Sequence, residues 1–460
     1  MPKIGLEIHG YLRSREKLFC NCKSLHGAKV AKPNTYVCPV CTGQPGSKPM
    51  LPNKSSVDRT IQTALILGCK INNKLVWQRK HYDWPDLPKG YQNTISGAHA
   101  SPVGVGGKFL GIRIKEVHLE EDPAAWNPKT GEIDYNKSGS PLIEIVTEPD
   151  FRDSEQVYEW MKQLVITLDY IKSVDKNLGL KADVNISLPE LKGERVEVKN
   201  VNSLRNIKSA LEYEEKRQKK PGELPRAKET RMFDEAKGTT TKMREKEAEQ
   251  DYKFISDPDL PVIILEDSRI EKIKNSLPET PQEKMGKLIK KHKLNEKYAN
   301  VLSKNLEIAE FFEKVTENKS INPAFAAPWV TVELLRVLNY KKTSLDSPEI
   351  DIKPEHFAEL LELIQKGKIT EEQAKKTLNQ FVPHSFPPAK ELKGSEKITG
   401  TSELEKIAEK IIGKNKKAAE DFKKGEASAL NFLIGQAMKE SKGRADSKIL
   451  REIFERKLEK

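Results

Sequence analysis

Residues 4–12 read IGLEIHGYL, with Ile4, Leu6 and Ile8 alternating with Gly5, Glu7 and His9. Successive side chains of a strand point to opposite faces. This stretch is therefore a strand with one apolar face and one face that sets a carboxylate beside an imidazole. Four further stretches repeat the design. In EVHLEED (116–122), Val117 and Leu119 oppose His118, Glu120 and Asp122. In PLIEIVTEP (141–149), Glu144 and Glu148 share a parity. In KADVNISL (181–188), Ala182, Val184, Ile186 and Leu188 alternate with Lys181, Asp183, Asn185 and Ser187. In ERVEVKNVNS (194–203), Val196 and Val198 alternate with Glu197 and Lys199.

One such strand is explained by a one-sided antiparallel sheet whose outer face meets water. Five are harder to explain that way, because Glu, Asp, His and Asn dominate where a solvated face mixes Thr, Lys, Arg and Glu. Carboxylates gathered on one face repel and require cations or protons. Oxygen ligands with an imidazole or two suit Mg²⁺ or Mn²⁺, the ions that hold nucleotide phosphates during phosphoryl transfer. The chain has no GxxxxGK[ST] loop. A nucleotide site would then rely on metals and basic side chains, with Arg79 and Lys80 in WQRKHYDWPDLPKGYQ and Lys199 as candidates.

The five cysteines add a second chemistry. CNC (20–22) and CPVC (38–41) form two close pairs, the pattern of a tetrahedral zinc site with four thiolates and no open position. The metal would be structural, and free buried thiols are the alternative. Cys69 follows an apolar helix and reads as a buried filler. No stretch resembles a signal peptide and no apolar run is long enough to span a bilayer, so a cytoplasmic protein with no membrane partner is expected.

The 460-residue length suggests about three domains at ~150 residues each. A formal net charge of +12 fits a polyanionic partner, nucleic acid first, although a Lys-rich solubility bias gives the same number. Mixed strands and helices run to about residue 260. Helices are predicted over SEQVYEWMKQLVITLDYIKS, with Ser154 as N-cap, and from Ser203 to Pro221-Gly222. Beyond NSLPETP (275–281) strand signals become scarce. The tail is a run of short helices, with a Ser402/Glu405 capping box, Gly413 and Gly425 as stops, and Leu430, Leu433, Ile434, Ala437 and Met438 on one stripe.

Taken in order, IGLEIH, KLFCNC, VCPVCTGQPGSKP, RKHYDWPDLPKGYQ, HLEED, PLIEIVTEPD, ADVNIS, VEVKNVNS, LEYEEKRQ, TRMFDEAKGTTTKMREKE, PDLP and NFLIGQAMKESKGRAD resemble the B-subunit family of the aspartyl/glutamyl-tRNA(Asn/Gln) amidotransferases. The resemblance covers nearly the whole chain. It implies an α+β fold. An antiparallel-sheet cradle similar to the glutamine synthetase catalytic fold, with the four-cysteine zinc site, would occupy 1–265. An all-α helical domain (266–345) and a small helical YqeY-like tail that binds tRNA (346–460) would follow.

It also implies a reaction: ATP-dependent phosphorylation of the side-chain carboxylate of Asp-tRNA(Asn), Glu-tRNA(Gln) or both. Ammonia released from glutamine by the A subunit then gives the amide, in a heterotrimer with amidotransferase subunits A and C. By motif, Glu7, His9, Glu120, Glu121 and Glu144 are the catalytic candidates. Glu7, His9, Glu120 and Glu144 are the first Mg²⁺ ligands, Asp183 and Glu197 the second. Parity favours Glu120 over Glu121 unless a bulge swaps them. Lys80, Arg79 and Lys199 are phosphate contacts, and Cys20, Cys22, Cys38 and Cys41 hold structural Zn²⁺. The alternative function is a non-catalytic, zinc-containing tRNA-binding subunit.

Overall fold

The five acid-faced strands stand side by side. The computed structural model describes residues 1–26, 32–245, 253–393, 396–398 and 400–458. Among these, one large sheet contains β1 (Lys3–Tyr11), β2 (Lys70–Ile71), β3 (Gln78–His81), β4 (Gln92–Thr94), β5 (Gly104–Phe109), β6 (Ile112–Glu121) and β7 (Pro141–Thr147). It continues with β8 (Leu180–Ser187), β9 (Val196–Asn202), β10 (Glu229–Asp234), β11 (Thr239–Glu245) and β12 (Lys253–Ser256). The order is β11–β10–β9–β8–β1–β7–β6–β4–β3–β12, with β5 joining β6 to β2. Pairing is antiparallel throughout except between β9 and β10. The centre of the sheet, β9–β8–β1–β7–β6, is the set of strands whose sequences pair an apolar face with an acidic one.

The apolar face is the core. Ile4, Leu6, Ile8, Val117, Leu119, Ile143, Ile145, Val184, Ile186 and Val198 are all buried. They meet helices α1 (Lys54–Ile66), α2 (Ser154–Tyr170) and α3 (Leu204–Gln218) through Ile61, Trp160, Leu164, Ile207 and Leu211. Cys69 lies in the same core, in contact range of Gly107. Helix α2 begins at Ser154, but its N-cap is Asp153, whose carboxylate accepts from Gln156 N at 2.7 Å. An aspartate one residue earlier reaches the same orphan amide with a full charge.

The chain divides into two compact units, Met1–Thr280 and Pro281–Lys460. The second is all helix and turn among its described residues. It holds two apolar clusters, one running from Leu288 to Phe381 and one from Ile398 to Leu458. In the latter, Leu430, Leu433, Ile434 and Ala437 are buried and Met438 packs against them. The helix Thr401–Lys414 starts from Gly400 without a side-chain cap, so Ser402 falls inside the helix and forms no capping box with Glu405. No helix among the described residues is long and apolar enough to cross a membrane.

Candidate active site and metal centres

The acidic face is assembled by register. Glu7 stands opposite Asp183, His9 opposite Glu144, and Glu144 opposite His118. Side chains directly opposite across a ladder have Cβ atoms ~4.5–5.5 Å apart, so groups on one face must meet. They resolve into two groups. In each of His9/Glu120/Glu144 and Glu7/Asp183/Glu197, one ligand atom per residue lies within 4.8 Å of the others.

The first group is balanced by imidazoles. His9 Nε2 lies 3.1 Å from Glu144 Oε2 and 3.8 Å from Glu120 Oε1, and His118 Nε2 lies 3.0 Å from Glu144 Oε2. Burial pulls the His9 imidazole down, but the Glu144 carboxylate more than reverses this and lifts it to about 9. His118 rises to about 10 by the same balance. Glu144 is pushed up by burial, yet His118 and His9 hold it well below the usual carboxylate range. Glu120 and Glu7 are raised, first by burial and then by the Glu144 charge.

The second group is balanced by a lysine. Lys199 Nζ lies 2.5 Å from Asp183 Oδ2 and also pairs with Glu197. Alternation along β9 puts Glu197 and Lys199 on this face together, and a one-residue bulge follows Val198. Ala182 pairs with Val201 while Val184 pairs with Val198. Val198 and Val201 thus both reach the core, and Glu197 and Lys199 both face the acids. Asn185 Nδ2 donates to Glu7 Oε1 at 3.1 Å.

Both groups line or adjoin one cleft of about 1090 Å³, walled also by Lys80, Lys137, Lys181, Trp84 and Trp126. Ligand oxygens ~2.1 Å from Mg²⁺ lie ~3 Å apart when adjacent and ~4.2 Å when opposite. Small carboxylate rotations would close either group on an ion. The donor sets, carboxylates with one imidazole and carboxylates alone, are those of hard divalent cations.

Cys20, Cys22, Cys38 and Cys41 form a third group whose sulfurs lie within 4.8 Å of one another, so this cluster can hold a metal ion. The Cys38 and Cys41 sulfurs are 3.9 Å apart. Four thiolates at ~2.3 Å from a tetrahedral zinc lie ~3.8 Å apart. Hydrogen bonding from Cys20, helped by Cys38 N and Lys17, holds the Cys41 thiol well below its ordinary value. The group braces the cleft wall. Buried Lys17 spans from Cys41 Sγ (3.3 Å) to the carbonyl of Tyr135 (3.1 Å), and Ser138 Oγ donates to Cys41 O at 2.8 Å. Gly43, at φ +66°, packs against Pro88; a Cβ there would lie 2.2 Å from its carbonyl oxygen, and the left-handed backbone adds its own demand for glycine.

Comparison with known proteins agrees with this geometry. The GatB/GatE catalytic domain family matches residues 2–271, and the GatB domain family matches residues 310–458. The chain is 43% identical over 473 residues to the B subunit of the aspartyl/glutamyl-tRNA(Asn/Gln) amidotransferase of Methanocaldococcus jannaschii, covering 100% of this chain and 98% of that one. The same-named proteins of Methanothermobacter thermautotrophicus (41% over 463 residues, 99% and 100% covered) and Methanopyrus kandleri (39% over 466 residues, 99% and 98%) are similar as well. The chain belongs to the aspartyl/glutamyl-tRNA(Asn/Gln) amidotransferase B-subunit family. In this family member, all three ligand groups fall inside the segment matched by the catalytic domain.

The structure places the residues singled out from the sequence in two environments. Glu7, His9, Glu120, Glu144, Asp183, Lys80 and Lys199 line the cleft, and Glu197 joins its second acid group. Glu121 and Arg79 lie elsewhere. Glu121 pairs with Lys89 and accepts from Asn93 N at 2.9 Å. Arg79 reaches Asp257 at 3.0 Å and Asp259 at 2.6 Å and stacks on Tyr91. Each is one residue from a cleft-lining neighbour, and strand alternation sends it away.

Lys181, Tyr11 and Asp122 are further lining groups. Tyr11 Oη donates to Asp122 Oδ2 at 2.7 Å, and Lys137 approaches the same carboxylate at 3.3 Å. Parity with His9 and Asp183 would have found Tyr11 and Lys181. Trp84 and Trp126 carry no periodic signal, because they come from non-regular and two-residue elements.

Proposed function

We propose that this protein uses ATP to phosphorylate the side-chain carboxylate of a misacylated tRNA, Asp-tRNA(Asn), Glu-tRNA(Gln) or both, so that ammonia can displace phosphate. The observation that carries the reading is the pair of ligand groups side by side in one lysine-walled cleft. A carboxylate resists ammonia because oxide is a hopeless leaving group. Attack of a carboxylate oxygen on the γ-phosphorus releases ADP and leaves an acyl phosphate. Ammonia then adds to the acyl carbon, phosphate departs with the C–O bond pair, and a proton is lost from nitrogen to give the amide.

His9, Glu120 and Glu144, and Glu7, Asp183 and Glu197, would hold Mg²⁺, which when bound would supply positive charge to bring a carboxylate and a polyphosphate together. The chain's own groups do the rest. Lys80 and Lys181 attract the anionic reactants. His118, buried behind Glu144, fixes that carboxylate and shares its charge. The cleft walls keep bulk water from the acyl phosphate, which otherwise hydrolyses. The A subunit supplies ammonia from glutamine, and the heterotrimer is completed by the C subunit. Zn²⁺ on the four cysteines is structural. The cradle (1–265), similar to the glutamine synthetase catalytic fold, carries the chemistry. The helical domain (266–345) and the tail (346–460) extend along the tRNA, with Lys414, Lys416, Lys417, Lys423 and Lys424 meeting phosphates. The protein acts in the cytoplasm.

The test is ADP formation by the reconstituted A–B–C complex with misacylated tRNA. Glu144→Gln abolishes it while tRNA binding survives. Unchanged ADP formation in that variant would remove Glu144 from the site, and no ADP formation by the wild-type complex would leave a non-catalytic, zinc-containing tRNA-binding role as the better account. That reading sits poorly with a binding face of acids, since clustered carboxylates repel nucleic-acid phosphates. Removing 397–460, the last apolar cluster, weakens tRNA binding and flattens its salt dependence; unaltered affinity would take the tail out of the tRNA site.

A further inference from the structure

The five tryptophans of the chain fall into two classes. Trp77, Trp160 and Trp329 are buried at 2%, 4% and 6% exposure. Trp77 packs edge-on against Phe19, and Trp160 against Phe109 and Phe151, as core aromatics do. Trp84 and Trp126 instead line the cleft. They meet edge to face, with centroids 5.4 Å apart and planes at 86°, and Trp84 remains 52% exposed. An edge-to-face pair leaves one ring face open. A large apolar face held open in a polar, cation-lined cleft costs solvation and is used where a flat π-system stacks on it.

The polar group beside the pair says which π-system. Asp86 follows two residues after Trp84 and lines the same cleft. Its carbonyl accepts from Ala124 N at 2.8 Å, which ties the Trp84 turn to the segment carrying Trp126. Its carboxylate oxygen Oδ1 is buried and has no hydrogen-bond partner among the described residues. A buried acceptor without a donor is a standing cost that a ligand donor removes. Adenine presents its N6 amino group as a donor to such an acceptor.

We propose that Trp84 and Trp126 form a stacking platform for an adenine base, with Asp86 as the acceptor for its N6 amino group. The platform rests on the functional reading above. Two adenines can reach the cleft in that reaction: the base of ATP and the 3′-terminal adenosine of the tRNA. The chemistry of recognition is the same for both.

The experiment uses the intact A–B–C complex and measures KM for ATP and for misacylated tRNA separately. Truncating a stacking aromatic costs ~1–3 kcal/mol per base, or roughly 10–100-fold. Trp84→Ala therefore raises one KM by about that factor, with a smaller change in kcat, and Trp84→Phe falls between it and the wild type. A rise in KM for ATP assigns the platform to the nucleotide; a rise in KM for tRNA assigns it to the terminal adenosine. In the first case Asp86→Ala also raises KM for ATP. If Trp84→Ala does not fold, Trp84→Leu and Trp126→Leu carry the same comparison. Both KM values unchanged in folded variants that still form ADP would overturn the platform and leave the functional reading standing. Absence of ADP formation in the wild-type complex would instead sink the functional reading.

Discussion

Cys20, Cys22, Cys38 and Cys41 come from one short stretch of chain and close on themselves. The cleft ligands come from strands spread between Glu7 and Glu197 and open onto about 1090 Å³. Four thiolates fill a tetrahedral ion and leave it no position for a substrate. Three oxygen or nitrogen donors leave an octahedral ion half open. The difference in ligand count and origin separates a closed group from groups that leave coordination positions open to the cleft. The two cleft groups differ in turn. Imidazoles can neutralise the first as cations and also ligate when neutral. Lys199 in the second can neutralise but, while protonated, not ligate, so an ion entering there must displace it.

The largest effect sharpens the contrast between cleft and cysteines. Glu144→Gln lowers ADP formation at least ~100-fold, as expected where charge stabilisation of a phosphoryl transfer is lost, and also lowers the melting temperature, because His9 and His118 lose the carboxylate they pair with. Cys38→Ser with Cys41→Ser acts on stability first and on activity only through it. The metal bound by the cysteines is lost, and the melting transition falls by several degrees, at ~2–4 °C per kcal/mol for a unit of this size. Activity then falls only as the wall at Tyr135–Ser138 loosens. Metal content by atomic absorption and calorimetry on the same samples check both halves.

A middle-sized effect breaks the second group open. Lys199→Met removes the resident cation and raises Mn²⁺ affinity there about tenfold, on the order of 1.4 kcal/mol; calorimetric titration reads it, and weaker binding would make Lys199 a supporting group rather than a competitor. The smallest effect separates neighbours. Glu120→Gln impairs turnover, whereas Glu121→Gln breaks the buried pair with Lys89, lowers stability and changes kcat by less than about threefold in steady-state assays.

Much of this was legible in the sequence because alternation with a period of two fixes faces. The apolar side of IGLEIHGYL is core, and its Glu7 and His9 sit on the acid side. The same period already favours Glu120 over Glu121, whereas for Lys80 and Arg79, both candidates in the sequence, only the register says which looks into the cleft. Register is a long-range property. That His9 meets Glu144, or that Lys199 meets Asp183, depends on which strands pair and in what register. Two helix starts were local signals misplaced by one or two residues, since Asp153 outcompetes Ser154 as a cap and Gly400 precedes Thr401, while Ser203 caps its helix as read. Trp84, Asp86 and Trp126 lie in turns and a two-residue strand, where no pattern repeats and only the folded chain reveals the neighbours.

The central claim is that carboxylates from separate strands grip divalent cations in the cleft. Counting Mn²⁺ bound per chain by electron paramagnetic resonance, in the presence of ADP, tests it directly. Two ions are expected in the wild-type protein, with one lost in Glu144→Gln and the other in Glu197→Gln. No bound Mn²⁺, or a count untouched by either substitution, would contradict it.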